Sequence, residues 1–266
     1  MTWHTGRLCA FDLETTGVDV ETDRIVTAAA IRLGGGAPTE PRTWTADPGI
    51  EIPAEAAAVH GITTEIARQQ GAPAHDVVDE VAEQVAAALL AGIPIVGHNV
   101  VYDLTLLDRE CRRHGLLTVI DRFTDDVLWP VIDTRVLDTH ALPYRRRPSK
   151  TQGARQLITL AAVYGFPWDE QNAHGCEYDA LQAARIAYRI GSVAHTPRAD
   201  WPEHLRAERR ARFHDPEGLG LEELHHLQIR LAREQAAGLQ EHFRKSDPNA
   251  VVDGSWPLRP WVGDNA

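Results

Sequence analysis

The chain reads as an α/β domain, a mixed five-stranded sheet flanked by helices, with a helical C-terminal appendage. Three observations predict this. Short apolar runs separated by glycine open the chain, helical spacing then alternates with short strands, and the character changes near residue 195. Strands that meander and later alternate with helices build a sheet of mixed direction.

Residues 7–14, RLCAFDLE, read as a buried strand that ends at the turn Thr16-Gly17. Residues 25–33 form the second strand, closed by Gly34, Gly35 and Gly36, and a third lies around 43–45. Strand, glycine turn, strand is the pattern of an antiparallel meander. Pro48 and Pro53 mark an extended loop. Over 76–90 the apolar positions Val77, Val81, Val85 and Leu89 recur every four residues, which predicts an amphipathic helix. A short buried strand follows at 94–97, then a helix over 100–113 with Leu104, Leu107 and Cys111 on one face. A fifth strand is expected at 131–134 and further helices at 153–164 and 178–190. Beyond residue 195, Pro197, Pro202, Pro216, Gly218 and Gly220 punctuate the chain before a long helix over 221–243 with Leu224, Leu227 and Leu231 on one stripe. Residues 251–262 carry Trp256 and Trp261 beside prolines and read as irregular. The expected division is a domain over 1–195 and an extension over 196–266. That extension either packs on the domain or serves self-association or docking on a polymerase or other partner.

Composition narrows the function classes. Apolar residues make up 43% of the 266, enough for a sizeable core. Cys9, Cys111 and Cys176 are scattered, with no CxxC pair, which suits a reducing compartment and excludes a zinc ribbon. No secretory signal and no apolar run of membrane-spanning length is visible, so a soluble, cytoplasmic protein is expected. A net charge of −11 argues against tight non-specific duplex binding, which depends on neutralising phosphates. It suits a site built from carboxylates and neutralised by divalent metal.

Three short elements carry the chemistry. In Phe11-Asp12-Leu13-Glu14-Thr15-Thr16-Gly17, strand alternation puts Asp12 and Glu14 on one face. Two carboxylates at the end of an apolar strand repel each other unless a cation binds them, and hard oxygen ligands suit magnesium or manganese. In Gly97-His98-Asn99-Val100-Val101-Tyr102-Asp103, a strand hands over to a helix, and Asn99 and Asp103 share a face near its start. Dipole stabilisation of a first-turn Asp would give the same residue. In His174-Gly175-Cys176-Glu177-Tyr178-Asp179, a loop histidine precedes a helix that begins with a carboxylate, and such a histidine can act as a general base near neutrality.

Asp12-x-Glu14, Asp103 and His174-x4-Asp179 together resemble the three motifs of the DEDDh branch of the DEDD exonuclease superfamily. That branch includes the proofreading epsilon subunit of bacterial DNA polymerase III. Val59-His60-Gly61-Ile62-Thr63 and Ile132-Asp133-Thr134 resemble further elements of the branch, and the likeness spans about residues 6–192. It implies a ribonuclease-H-like fold and a 3′–5′ exonuclease that releases nucleoside 5′-monophosphates from single-stranded 3′ ends, DNA favoured over RNA. It implies two Mg2+ or Mn2+ ions held by Asp12, Glu14 and Asp179, with Asp103 acting directly or through water. His174 would be the general base. Leu13, Thr15, Thr16, His60 and Asn99 would flank the terminal nucleotide, although Thr15-Thr16-Gly17 is also a good turn and His60-Gly61 could cap a helix.

Arg145, Arg146, Arg147 and Lys150 form the sharpest basic run, either a phosphate contact behind the terminal nucleotide or a solvated loop. Trp129, Tyr144 and Trp168 could stack on bases or pack internally. Cys176 reads as filler. A rival reading is a non-catalytic module that uses the same fold to bind 3′ ends or a partner; it gives no reason for clustered carboxylates.

Overall fold

The first strand explains why the sheet is covered on both sides. In the computed structural model, which describes residues 2–123 and 127–263, β1 (Arg7–Thr15) is buried along most of its length. Its odd positions, Cys9, Phe11 and Leu13, enter one core, while Leu8 and Ala10 enter cores on the other face. A strand with apolar residues on both faces needs helices on both faces.

β1 pairs antiparallel with β2 (Ile25–Gly34), which pairs antiparallel with β3 (Glu40–Asp47). After β3 come α1 (Ala54–His60), α2 (Thr64–Gln70), the short strand β4 (Ala72–Pro73) and α3 (Ala74–Leu90). β5 (Ile95–Gly97) lies parallel to β1 and leads into α4 (Val101–Arg113) and α5 (Val119–Arg122). β6 (Val131–Asp133) pairs parallel with β5 and is followed by α6 (Thr134–Ala141), α7 (Leu157–Tyr164) and α8 (Cys176–Ala194). The strand order is β4-β3-β2-β1-β5-β6. The mixed sheet is therefore as expected, with a sixth strand of two residues added at the β3 edge. Pro73 cannot donate to a ladder, so that strand stops as soon as it starts.

Two local departures have simple causes. The loop expected between Pro48 and Pro53 is in place, but an unexpected helix, α1, follows it, because Pro53 precedes a run of helix-forming alanines; Gly61 ends the helix in the left-handed region at φ 78°. The helix expected from residue 153 starts only at Leu157. On the odd face of β1, α3 inserts Val77, Val81, Val85 and Leu89, each fully buried apolar side chain contributing roughly 1.5–3 kcal/mol.

The chain past residue 195 packs on this domain through α9 (Glu203–Arg206), α10 (Leu221–Phe243) and an irregular tail. β6 is the sheet edge, and α10 closes it with side chains. Gln228 accepts from the Asp133 N–H at 2.7 Å and donates to the Val131 carbonyl at 2.9 Å. His225 Nδ1 accepts from the Val131 N–H at 3.3 Å. Each bond satisfies a backbone group whose loss would cost about 1–3 kcal/mol. Among the described residues, no helix is long and apolar enough to cross a membrane.

Candidate metal centre and its surroundings

Asp12 and Glu14 continue the even face of β1, the face on which Ala10 packs against Ala180 and Ala184 of α8. Asp179 stands in the first turn of that same helix. The strand period and the docking of α8 thus bring the three carboxylates together. One oxygen from each of Asp12, Glu14 and Asp179 lies within 4.8 Å of the others, and all three residues are half-buried. Asp103 approaches from the opposite side, off the first turn of α4. It is buried, and its Oδ1 accepts from the Leu13 N–H at 3.0 Å, between the two strand acids.

Gly97 is what allows β5 to deliver α4 so close to β1. A Cβ there would lie 2.7 Å from the Val100 side chain and 2.9 Å from the Phe11 carbonyl oxygen.

The acids raise one another's proton affinity. Asp12 is held well above the usual carboxylate range by burial and then by Asp103, Glu14 and Asp179. Glu14 is pushed up to about 8, first by burial, then by Asp179 and Asp103. Burial lifts Asp179 to about 6, partly offset by His174. Asp103 is raised by burial against the pull of its Leu13 hydrogen bond. No Lys or Arg among the described residues forms an ion pair with any of the four. Asp179 Oδ1 is buried without a hydrogen-bond partner. Converging acids, no internal cation and an orphaned oxygen fit a divalent ion, which supplies the missing positive charge.

Asn99 and His174 are the two non-glycine residues with positive φ among those described, at 63° and 61°. Such backbone costs of order 1 kcal/mol or more and gathers where geometry has a task. His174 is exposed on the loop before α8. The Asn99 N–H donates to Asp133 Oδ1 at 3.0 Å, and its side-chain oxygen accepts from Arg135 at 2.7 Å.

The remaining expected contacts divide. His60 lies beside the Thr15 backbone, and its buried Nε2 has no hydrogen-bond partner. The Thr15 hydroxyl sits 2.9 Å from the Tyr102 hydroxyl, and both reach the Gly17 carbonyl at 2.6 Å. Thr16 is tied into the turn. Its N–H donates to the Arg24 carbonyl, and its buried hydroxyl donates to Asp23 and accepts from the Arg24 N–H, so both groups expected to face a strand end are engaged in the turn. Leu13 is 6% exposed in the main core; the group it offers the site is its N–H. Tyr102 was not among the expected residues. Its place one residue before Asp103 was the available signal.

Cys176 is buried beside Thr27 and pushed up to about 12 by burial, a packed thiol. Within the basic run, Arg145 is tied to Asp138, while Arg146, Arg147 and Lys150 are exposed. Trp168 packs edge-on against Tyr178. Tyr144 is exposed beneath Arg210.

The sequence profile of the RNase_T family, described as Exonuclease, matches residues 9–187. The chain is 29% identical over 184 residues to DNA polymerase III PolC-type of Lacticaseibacillus paracasei, which covers 69% of this chain and 11% of that protein. It is 32% identical over 110 residues to DNA polymerase III subunit epsilon of Aquifex aeolicus, covering 41% of this chain and 51% of that one. The chain thus spans about a tenth of the PolC-type relatives and about half of the epsilon relative. E. coli exonuclease I in complex with a dT13 oligonucleotide superposes with a TM-score of 0.56 at 20% identity, over 70% of this chain and 41% of that one, which shows a shared fold.

Proposed function

We propose, from the premise that this chain belongs to the RNase_T exonuclease family, that it removes nucleotides one at a time from the 3′ ends of single-stranded DNA. The observation that carries this reading is the unpaired cluster of Asp12, Glu14 and Asp179 within 4.8 Å. These three residues would hold two divalent ions, magnesium or manganese, with Asp103 contributing directly or through water. Bound there, the ions supply positive charge that stabilises the charge developing on the scissile phosphodiester.

The chain's own residues do the rest. His174, exposed at the mouth of the cluster's loop, takes the proton of the attacking water. The water oxygen bonds to phosphorus, the bond to the neighbouring 3′ oxygen breaks, and that oxygen leaves with a proton. The product is a nucleoside 5′-monophosphate, and the strand ends in a new 3′-hydroxyl. His60, Thr15 and Asn99 flank the terminal sugar and base. The buried, unpartnered Nε2 of His60 beside the Thr15 backbone supports this placement.

DNA is the favoured substrate because the relatives are DNA polymerase III proteins and the superposed exonuclease I holds a dT13 oligonucleotide. The same relatives support a role in replication or repair beside a polymerase in the cytoplasm. Residues 1–195 form the hydrolytic domain and 196–266 an extension to it.

The test is an end-labelled single-stranded oligonucleotide, as DNA and as RNA, incubated with magnesium, manganese or chelator. Metal-dependent release of mononucleotides from the 3′ end, faster on DNA, is expected. Intact substrate with both metals and a folded protein would sink the reading.

A further inference from the structure

The C-terminal extension does more than cover the sheet edge. Its tail returns across the start of α4: the Arg259 N–H donates to Thr105 Oγ1 at 3.1 Å, and Arg109 donates to the Pro260 carbonyl at 2.8 Å. Trp256 Nε1 donates to Asp133 Oδ2 at 3.3 Å, and the Val252 N–H donates to Gln240 of α10 at 3.1 Å. Between this strap, α6 and α10 lies a cavity of about 500 Å3. Asn99 stands on its rim, four residues from Asp103 and just past the C-terminal end of β5, which runs parallel to β1, the strand that carries Asp12 and Glu14.

We infer that this cavity is a subsite for an upstream nucleotide of the bound strand, formed jointly by α6 and the extension. The inference rests on the proposed exonuclease function.

The lining has the two chemistries a nucleotide carries. Val136, Ala232, Leu239 and Trp256 form an apolar wall for a base. Arg135 and Arg259 supply positive charge for a phosphate, in a chain whose net charge is −11. Both have donors to spare. Arg135 spends one nitrogen on Asn99, and Arg259 meets Asp253 only at 4.0 Å. The other charged groups in the lining are Arg155, tied to Asp138; Asp133, tied to backbone N–H groups and Trp256; and Asp253, which accepts from the Ser255 N–H at 2.8 Å. The volume lies in the range of small-molecule sites, roughly 300–1,000 Å3.

Gly238 makes a second point. It sits inside α10, where glycine is a poor helix former, and it lines the cavity. A Cβ at this position would meet no atom within 4 Å. Packing therefore does not require the glycine, and the space beside it is open to a ligand.

A free nucleoside monophosphate offers the same chemistry as a strand nucleotide, so the experiment separates them. Gly238→Phe fills the cavity, Arg259→Ala removes the phosphate partner, and Gly238→Ala is the control for the fold. Each is assayed on three probes: a nitrophenyl ester of thymidine 5′-monophosphate, which occupies the terminal position alone; single-stranded DNA of roughly ten nucleotides; and free thymidine 5′-monophosphate as inhibitor. The expected result is unchanged ester hydrolysis and about tenfold weaker binding of the long strand for Gly238→Phe and Arg259→Ala, the size of one lost charge-assisted contact. Gly238→Ala matches the wild type. Unchanged strand affinity in both variants overturns the subsite. So does altered inhibition by the free monophosphate with strand affinity intact, which would make the cavity a mononucleotide site. If the wild type fails to hydrolyse ester and strand alike, the exonuclease reading fails instead.

Discussion

Two groups of buried acid in this molecule are built in opposite ways. Asp138 of α6 is fully buried and surrounded by partners: Arg145, Arg155 at 2.5 Å and the Tyr164 hydroxyl at 2.8 Å. Asp12, Glu14 and Asp179 share one small space with no cation, and Asp179 keeps an oxygen with no partner at all. The first is a finished ionic knot. The second is unfinished, because every neighbour that shifts the charge balance of Asp12 and Glu14 is another acid. Buried charge persists in a fold when it is paired or when it binds an ion. Pairing, rather than burial, therefore separates the acids that hold this structure from those available for chemistry.

Substitution should have crossed effects on the two. Asp12→Asn is expected to lower turnover by at least about a thousandfold, more than one donor to a transition state contributes. The same change should raise the melting temperature in chelator, because it removes like-charge repulsion. Steady-state release of mononucleotides and thermal unfolding of one preparation measure both. A variant that loses stability and keeps activity would place Asp12 with Asp138. His174→Ala should follow, with turnover down by about a hundredfold to ten-thousandfold, the span of general base catalysis. Its magnesium affinity by calorimetry should be unchanged, since the imidazole acts on water. An equal rate across pH in variant and wild type would remove that role.

Asp138→Asn should reverse the pattern. It leaves two guanidinium groups without their counter-charge, and breaking such a pair costs about 3–5 kcal/mol. Denaturant unfolding should show this loss, while ester hydrolysis per folded molecule stays at the wild-type level. Unchanged unfolding would mean that solvent already shares those arginines.

The two regions were also unequally legible in the sequence. Asp12, Glu14, Asp103 and Asp179 stood out because strand and helix periods are short-range rules, and D-x-E beside a turn needs no knowledge of distant chain. The mixed sheet followed from the same rules. The Asp138 knot did not, because Arg145 and Arg155 approach from a loop whose path local spacing does not determine. Nor did the closure of β6 by His225 and Gln228, which lie more than ninety residues downstream. Thr16 illustrates the converse. Its type and position suit either a strand-end contact or a turn, and only the distant partners Asp23 and Arg24 reveal how firmly it is held in the turn. The positive φ of Asn99 and His174 left no mark in residue type that would single out either one.

The contrast extends to pH. In the metal-free protein the folded state keeps protons that the unfolded chain has released, because Glu14 rises from 4.5 to about 8 and Asp179 from 3.8 to about 6. The stability tied to each group is complete below its unfolded value and is lost as pH climbs through its folded value. Unfolding temperature in chelator should therefore fall as pH is raised from 3.8 to about 8, the window of those two groups. The decline should amount to roughly a few degrees, because solvent screens groups that are only half-buried. Saturating magnesium should flatten the curve, since the cation replaces the protons and binds the folded state alone. Glu14→Gln should remove the upper part of the decline and leave the part set by Asp179. A chelator profile that is flat over this window would show that the three acids do not feel one another, and the distinction between paired and unpaired acid would lose its basis.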